Sequence, residues 1–588
     1  MTDQPAQSNQ PDDGHHSRPE PTEEPIGERR LSRRKFITGA AAAGAAGVLG
    51  LPGVGSASVA APSTYLQVGD RDDRSELTMV NGYIHTMDDA GTIAKAVTIR
   101  NGRFVAVGRA ARARGPDTRV VNLRGQTVIP GIIDNHNHIV LMGNRPGFHT
   151  PLENASSIAE VQATLASRAA GVPAGEWITT IGGFHINQFA ESRFPTKEEL
   201  DEVTTDHPLF VSQSFSGPSA TNSAGASLLS ANGVTVGADG GIASGGAGST
   251  GEALLYLRQS LLTPETRQRG AIDAMAYGAS LGVTTHLDQG AFQATGEPSD
   301  GAAHEDNFTM HRPFLDLYGA EQLGTRLRIN FLNLEEDVAT PQLVERLENA
   351  FPFFGSDLVK TGGIGEFTAG DFIDLFLGNP GPAWMNGTLR VAQAGWRNEN
   401  HSLTRNDFPP IIEGWEQVNG QAPITDLRWV LAHVPFITEE YVNRLDALGG
   451  GLSLTGWRYL AGTAANNGPP FRMIVDNGIN VGMSSDGMQI APMNPWLHMY
   501  YATTGINAAG ELINDGQQIT REEVLRLYTA NNRWFLGEDD IGSIEVGNHA
   551  DLVVLNDDFL TVSDEGLKDI RSVLTVVGGE VVYDAGVL

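Results

Sequence analysis

Apolar and polar residues alternate in short runs at both ends of this chain. Residues 76–108 read as short strands with tight turns at Asn81-Gly82 and Asn101-Gly102, dipeptides that are typical of hairpins. Residues 542–555 and the hairpin 574–583 have the same pattern. We therefore expect the two ends to build one small β domain, and the long middle segment to form a domain of its own.

The apolar strand predicted at residues 127–138 ends on two histidines, His136 and His138, after a bend at Pro130-Gly131. Because side chains alternate along a strand, the two imidazoles share one face. Two neutral imidazoles side by side are natural ligands of a first-row metal ion. The chain has 15 histidines, so such a pair also arises by chance, and the metal interpretation depends on other residues.

Further motifs follow this one in a fixed order along the chain. They lie at residues 193–201, 206–209, 222–223, 282–285, 542–552 and 578–583, after the first at 130–138. Together they resemble the metal-dependent amidohydrolase superfamily, in the amidohydrolase 3 or YtcJ-like branch that includes N-substituted formamide deformylases. The resemblance extends from about residue 76 to the C-terminus.

The resemblance implies an α/β protein. Its parts would be a (β/α)8 TIM-like barrel over residues 131–540 and a β-sandwich assembled from residues 65–130 and 541–588. The barrel segment exceeds the usual barrel size, so we expect an insertion at about 143–270. Within it, the glycine-rich tract 233–251 is interpreted as a flexible loop near the active-site mouth, with a plain surface loop as the alternative.

The family places its metal centre at the C-terminal ends of the barrel strands. His433 ends an apolar strand at the family's sixth-strand position, and Asp486 matches the aspartate of the last strand. Lys360, one of only five lysines, is the candidate for a carboxylated lysine that bridges two ions. The residues after Lys360 depart from the family pattern, and Glu366 is the alternative carboxylate.

The fifth-strand motif also departs from the family, because it keeps one histidine where two are usual. His401 is the ligand candidate there, and Glu399 shares its face if the strand is regular. Glu399 is predicted to contact substrate, a second metal ion or a nearby arginine, with a solvated loop glutamate as the alternative. His286 is a further substrate-pocket candidate, the alternative being a strand histidine with a satisfied hydrogen bond. Asn222 is the third predicted substrate contact.

These groups predict hydrolysis of a non-peptide amide or formamide C–N bond. A divalent ion, zinc by default and iron or manganese otherwise, would acidify water, and one or two ions per chain fit the residues. Asp486 is predicted to move the proton, while His401 and His433 hold the metal or steady the oxyanion. The alternative is a non-hydrolytic barrel, such as a hydratase-type lyase, or a binding protein that has lost catalysis.

The composition excludes several kinds of partner. The net charge is -30, with 70 acidic and 40 basic residues, which argues against nucleic acid and anionic membranes. The chain has no cysteine, so a metal ion must be held by nitrogen and oxygen. We expect a small-molecule substrate, and self-association into a homo-oligomer stays open.

The N-terminus predicts export. Residues 32–37 match the twin-arginine pattern and precede a short Ala/Gly-rich apolar run, residues 37–51. That run is too short for a comfortable membrane span. We therefore expect residues 1–60 to be a twin-arginine signal and leader, handled by the twin-arginine machinery and cleaved near Ser58–Ala60. The mature enzyme would then be periplasmic or extracellular, without stable membrane insertion.

Overall fold

The computed structural model describes residues 76–111, 118–214, 217–290, 310–488 and 490–588. All described residues belong to one compact unit, within residues 57–588. The predicted signal and leader therefore lie outside the described residues. Within the described ranges no helix is both long and apolar enough to cross a membrane.

The described part of the chain is of mixed α/β structure. Its strands are β1 (Leu77–His85), β2 (Ile93–Arg100), β3 (Arg103–Val107), β4 (Arg119–Asn122), β5 (Thr127–Pro130), β6 (Ile132–Asn137), β7 (Phe148–His149), β8 (Ile178–Ile181), β9 (Leu209–Ser212), β10 (Ser219–Thr221), β11 (Gly241–Ile242), β12 (Val283–Asp288), β13 (Arg326–Phe331), β14 (Val359–Ile364), β15 (Glu399–Ser402), β16 (Val430–His433), β17 (Gly451–Thr455), β18 (Asn480–Ser484), β19 (Leu552–Leu555), β20 (Ser572–Val577) and β21 (Glu580–Asp584). Its α-helices are α1 (Ile139–Gly143), α2 (Ile158–Ala169), α3 (Lys197–Asp201), α4 (Ser223–Ala231), α5 (Thr250–Leu261), α6 (Pro264–Leu281), α7 (Arg312–Gly319), α8 (Pro341–Asn349), α9 (Phe372–Phe376), α10 (Pro382–Gln393), α11 (Phe408–Asn419), α12 (Glu439–Ala447), α13 (Arg458–Ala461), α14 (Phe471–Asn477), α15 (Pro495–Thr504), α16 (Arg521–Leu527) and α17 (Arg533–Leu536).

The N-terminal and C-terminal strands meet in one eight-stranded sheet. Its order is β21-β20-β19-β5-β1-β2-β3, and β4 pairs with β1. The two ends of the chain join where β19 pairs antiparallel with β5, with Val553 opposite Ile129. Apolar side chains from both segments share one core on this sheet.

Eight parallel strands from the middle of the chain form two four-stranded sheets. One has the order β14-β13-β12-β6 and the other the order β15-β16-β17-β18. A parallel bridge between Ile364 and Asn398 links β14 to the start of β15, and β18 lies against β6. Most positions on these strands are buried, which is typical of parallel strands covered by helices. All eight C-terminal strand ends therefore open toward the same side.

The helix α6 shows how the sequence sets the limits of an element that covers these sheets. Thr263 caps its N-terminus with a side-chain hydrogen bond, and Pro264 occupies the first turn. The helix ends at Gly282, whose φ of 89° is the left-handed conformation that favours glycine. A Cβ there would also press on Val553, so glycine lets β12 start directly under the terminal sheet.

The segment between β6 and β12 carries a separate five-stranded sheet. Its order is β11-β10-β9-β8-β7, and it has its own apolar clusters with the helices α2 to α5. The glycine-rich tract 233–251 contains β11, which forms one edge of this sheet.

Candidate metal centre

Four histidines and two carboxylates come together at the C-terminal ends of the parallel strands. His136 lies on β6, and His138 directly follows it; His401 and His433 lie on β15 and β16, and Glu366 and Asp486 follow β14 and β18 by two residues. Five separate strands contribute to this site. The parallel sheets therefore bring together residues that are up to 350 positions apart.

The first set of candidate ligands is His136, His138, Glu366 and Asp486. Nε2 of His138 lies 3.4 Å from Oε1 of Glu366 and 3.3 Å from Oδ1 of Asp486. Nε2 of His136 lies 3.4 Å from Oε2 of Glu366 and 3.6 Å from Oδ1 of Asp486. All four side chains are buried.

The second set consists of Glu366, His401 and His433. Nδ1 of His401 lies 2.7 Å from Oε2 of Glu366, and Nε2 of His433 lies 3.7 Å from the same oxygen. The ligand atoms within each set lie within 4.8 Å of one another. Glu366 belongs to both sets, so its carboxylate stands between them.

The outer nitrogens of three histidines are held by other groups, which turns their Nε2 atoms toward the carboxylates. Nδ1 of His138 lies 2.7 Å from the carbonyl of Gly290, and Nδ1 of His433 lies 3.1 Å from Oγ1 of Thr455. Nδ1 of His136 lies 2.5 Å from Oε1 of Glu399. Such partners fix the tautomer of a metal-binding histidine.

The donor set fits a divalent metal ion. The buried Nε2 atoms of His136 and His433 have no hydrogen-bond partner, although buried polar atoms are normally paired. In the first set, the separations of 3.3 to 3.6 Å match the edge of a tetrahedron of ligands, about 3.4 Å for arms of about 2.1 Å. An ion in the first set would pair Nε2 of His136, and an ion in the second set would pair Nε2 of His433.

The buried charges shift the pKa of several of these groups. Burial alone would lower the pKa of His138, but the carboxylates of Asp486 and Glu366 raise it to about 9. Burial alone would raise the pKa of Glu366, and His401 and its neighbours bring it well below the ordinary value. His138 and the two carboxylates thus stabilise each other's charged forms, and a cation would replace the proton in that role.

Two of the candidate ligands have an uncommon backbone conformation. His433 has a φ of 70° and Asp486 a φ of 55°, both in the left-handed region that non-glycine residues seldom adopt. The backbone N–H of Asp486 donates to the carbonyl of His136, at 2.9 Å. Asp134 accepts from the backbone and hydroxyl of Ser485, at 2.9 and 2.5 Å. These bonds fix the end of β18 against the end of β6, and hence Asp486 beside His136.

Glu399 does not face an open pocket. It is fully buried, and its carboxylate is taken up by three neighbours: Nδ1 of His136, Nη2 of Arg397 at 2.6 Å and Nδ2 of Asn330 at 3.1 Å. Of the contacts predicted for Glu399, the structure shows the one with an arginine. Its carboxylate therefore holds Nδ1 of His136, a candidate metal ligand.

Lys360 is not brought to this cluster, which corrects the prediction that it bridges two metal ions. It lies near the start of β14, whereas the cluster lies beyond the other end of that strand. Its Nζ is 3.1 Å from Oε2 of Glu538, a carboxylate that also binds Arg328. The place between the two ligand sets is taken by Glu366.

His286 and Asn222 also lie away from the cluster. Nδ1 of His286 is 2.8 Å from Nδ2 of Asn137, on the face of β6 opposite to the two histidines. Its ring packs near Gly278 of α6, and burial lowers its pKa to about 3. Asn222 caps α4 through the N–H of Gly225, at 3.0 Å, and is fully buried. The structure therefore places both residues in supporting positions, not in a substrate pocket.

Sequence reasoning missed three residues that support the cluster. Arg397 precedes β15 by two residues, so extending the alternation back from Glu399 could have indicated it. Asn330 of β13 and Thr455 of β17 carry no local signal, because only the pairing of strands brings them to their partners.

His401 is the least buried of the six candidate ligands, with a side chain that is 10% exposed. Its ring lies against Phe367 and Phe376, with centroids 5.2 and 5.9 Å apart. The cluster is therefore bordered by aromatic side chains on its accessible side.

Parallel strands that end in histidines and shared carboxylates define a class of metal-dependent α/β enzymes. Comparison with known proteins identifies the family: residues 119–583 match the amidohydrolase family Amidohydro_3, and the chain belongs to it. This confirms the family resemblance of the sequence motifs. It also makes the chain a hydrolase that takes a small-molecule substrate.

Individual relatives align with this chain over nearly their whole lengths. The chain is 24% identical to N-substituted formamide deformylase of Arthrobacter pascens, over 87% of this chain and 98% of that protein. It is 22% identical to putative amidohydrolase YtcJ of Bacillus subtilis strain 168, over 86% and 98% of the two chains. Its fold is similar to that of an uncharacterised metal-dependent hydrolase of Pyrococcus horikoshii OT3, with a TM-score of 0.56, 19% identity and coverage of 84% and 99%.

Proposed function

We propose that this protein hydrolyses a non-peptide C–N bond, in an amide or formamide of a small molecule, and that Asp486 moves the proton. The main observation in support of this proposal is the pair of ligand sets that share Glu366 at the C-terminal strand ends. Support also comes from the formamide deformylase of Arthrobacter pascens, which aligns with most of this chain.

The residues that would hold one ion are His136, His138, Glu366 and Asp486; Glu366, His401 and His433 would hold a second. Zinc is our first choice, because nitrogen and carboxylate ligands at tetrahedral spacing suit it, with iron and manganese as alternatives. A bound divalent ion would polarise the substrate carbonyl and lower the pKa of a nearby water toward neutrality.

In this proposal Asp486 first accepts the proton of the attacking water and later passes it to the departing nitrogen. Its Oδ1 faces His136 and His138 and its Oδ2 faces His433 at 4.0 Å, so the carboxylate borders the space between the two sets. The pKa of Asp486 lies below the ordinary value, since the neighbouring histidines outweigh burial. The carboxylate is thus ionised at neutral pH, which is the form that can accept a proton.

His401 would steady the oxygen that becomes negative during the attack. It is the most accessible ligand candidate, and its ring lies beside His433 with centroids 4.6 Å apart. Phe367 and Phe376 would exclude water from this side. The substrate group next to the scissile bond would pack on these rings.

We further propose that the two four-stranded sheets close into a (β/α)8 barrel, and that the terminal sheet forms the predicted β-sandwich. The bridge between Ile364 and Asn398 and the contact of β18 with β6 support closure on both sides. The active-site loops would then surround one mouth.

Export through the twin-arginine pathway is also part of this proposal. The twin-arginine pattern at Arg33-Arg34 supports it. Mass spectrometry of the mature N-terminus in exported fractions tests it: the wild-type chain should start near residue 60. Export should stop when both arginines are changed to lysine. Export that continues unchanged would contradict the proposal.

Substitution of Asp486 by asparagine tests the catalytic role. In metal-loaded protein, kcat for N-alkylformamides should fall by at least a thousandfold, because asparagine accepts no proton. Metal content should stay close to the wild-type value, as the amide oxygen remains. Asp446→Asn, a change on α12 outside the cluster, is the control. Release of formate and amine by mass spectrometry distinguishes hydrolysis from a lyase reaction, and an active Asp486→Asn variant would exclude the role.

A further inference from the structure

The segments that follow β15, β16 and β17 bring two arginines onto one aromatic ring. The guanidinium carbon of Arg405 lies 4.1 Å from the ring centre of Phe436, and that of Arg458 lies 5.4 Å from the same centre. Arg458 also lies 4.1 Å from the ring centre of Trp457. We call these four residues, Arg405, Phe436, Trp457 and Arg458, the Phe436 cluster.

The Phe436 cluster lies on the same side of the parallel strands as the metal centre. Three short chain segments join it to that centre: Arg405 follows His401 by four residues, Phe436 follows His433 by three, and Arg458 follows Thr455 by three. An extended chain spans at most about 3.6 Å per residue, so each backbone lies within roughly 15 Å of its partner in the centre. The cluster and the metal centre are therefore neighbours at the same ends of the strands.

Polar donors of the cluster lack partners. Arg458 is 6% exposed, and neither its Nε nor the Nε1 of Trp457 has a hydrogen-bond partner, although both atoms are buried. In the described part of the chain, neither Arg405 nor Arg458 has a carboxylate within ion-pair distance. The buried Arg397 and Arg326, by contrast, are each paired with a carboxylate.

An unpaired buried arginine is costly, because burial removes the water that stabilises its charge. Here burial lowers the pKa of Arg458 to about 10, so the side chain stays charged at neutral pH. Arg458 is thus a buried cation without a carboxylate in a chain that carries 70 acidic residues and only 40 basic ones, whereas Arg405 is exposed to water. Every free group of the cluster is a donor or a positive charge, and planar guanidinium groups match a carboxylate.

We propose that the Phe436 cluster binds a carboxylate that the substrate carries at a distance from its scissile bond. This inference rests on the proposed hydrolysis and narrows its substrate class to anionic amides or formamides. Phe436 and Trp457 hold the guanidinium groups in place by stacking, and Arg458 supplies the buried part of the charge.

Matched pairs of substrates test the proposal on metal-loaded enzyme. The series runs from N-formylglycine to N-formyl-6-aminohexanoate, and each acid is compared with its primary carboxamide, which has the same shape without charge. The measured quantity is kcat/KM for the acid divided by that for the carboxamide. Variants are Arg458→Gln, Arg458→Lys and Arg405→Gln. The control is Arg444→Gln, because Arg444 is paired with Glu416 on the outer helices.

The wild-type ratio should reach at least ten at one chain length. Arg458→Gln should lower it at least tenfold, chiefly through KM, since the carboxylate is bound equally before and during the reaction. Arg458→Lys should retain part of the ratio, and Arg405→Gln should lower it at least threefold. Arg444→Gln should keep the wild-type ratio. Circular dichroism checks folding, and if Arg458→Gln is unfolded, the threefold loss expected for Arg405→Gln decides instead.

A ratio near one at every chain length, or a ratio that Arg458→Gln leaves unchanged, would overturn the proposal and leave water as the cluster's partner. If the wild-type enzyme hydrolyses neither member of any pair, the hydrolysis of formamides fails separately. Calorimetric titration with glutarate and adipate then decides on the cluster itself. Binding that is lost in Arg458→Gln supports the carboxylate site, whereas equal binding or no binding overturns it.

Discussion

His136 and Glu399 form a fully buried pair, with Nδ1 of the imidazole 2.5 Å from Oε1 of the carboxylate. Because the carboxylate accepts the proton of Nδ1, the other ring nitrogen is left free to face Glu366 and Asp486. Arg397 and Asn330 hold the second oxygen of Glu399 at 2.6 and 3.1 Å. The carboxylate of Glu399, which binds the candidate ligand His136, is therefore itself held in place.

Glu399→Gln should weaken metal binding without removing a ligand. The glutamine oxygen is a weaker acceptor for the N–H of His136, and loss of such partners typically costs 10- to 100-fold in metal affinity. Competition with a chromophoric chelator measures this affinity. Glu413→Gln, at a half-exposed position on α11, is the control. An unchanged affinity in Glu399→Gln would show that the pair does not support the metal site.

Substitutions of Glu366 and of Lys360 should have different effects on the metal content of the protein. Glu366→Gln should reduce the number of ions per chain, because this carboxylate belongs to both ligand sets. Lys360→Met should leave the number unchanged, since Lys360 contacts Glu538 at the other end of β14. Elemental analysis of protein purified without chelator measures both. A loss of metal in Lys360→Met would show that Lys360 takes part in metal binding after all.

Asn222→Ala should destabilise the fold without changing catalysis. The side chain accepts from the N–H of Gly225 in the first turn of α4 and from the N–H of Leu209 at the start of β9, and loss of such a cap costs about 1 to 2 kcal/mol. Urea unfolding measures the stability, and kcat/KM should stay within twofold of the wild-type value. Asn232→Ala, at the exposed far end of the same helix, should cost less. A selective loss of kcat/KM would restore the predicted substrate contact.

Stability should fall as the pH drops from 6.5 to 4, in part through His498. Its Nδ1 accepts from the N–H of Gly456 at 2.9 Å, its Nε2 lies 2.7 Å from the carbonyl of Pro492, and burial lowers its pKa to about 4. The folded state thus binds fewer protons than the unfolded state between these pH values. The contribution is fully present above pH 6.5 and lost toward pH 4, by roughly 3 kcal/mol.

The difference in unfolding free energy between wild type and His498→Gln isolates this effect. Glutamine can accept from Gly456 and donate to Pro492, but it does not titrate. The wild-type protein should therefore lose more stability than the variant as the pH falls, by urea unfolding at pH 7, 6, 5 and 4. A difference that is constant over this range would rule out His498 as a cause.

Much of the site could be anticipated from local patterns. A strand places alternate residues on one face, so His136 and His138 could be paired from sequence, and His433 and Asp486 could be assigned to strand ends. The strands at both chain ends were likewise visible in the alternation of apolar residues. The motifs also identified the family, which the match over residues 119–583 confirms.

The sequence alone does not decide which of two neighbouring candidates is a metal ligand, and the tertiary structure does. Lys360 and Glu366 lie six positions apart, and only the extent of β14 shows that the lysine is at one end of the strand and the glutamate beyond the other. Asn222 and His286 belong to recognisable segments, but their side chains are directed to a helix cap and to the layer of α6.

Alternation and turn chemistry act over a few residues, so the types of metal-binding residue, their order and the strands that carry them can be read from the sequence. The packed fold is needed to show which carboxylate stands between the two ligand sets, which groups bind the outer nitrogens of the histidines and which arginines lack a carboxylate. These contacts join strands and loops far apart in the chain, and their distances depend on how the strands pair and pack.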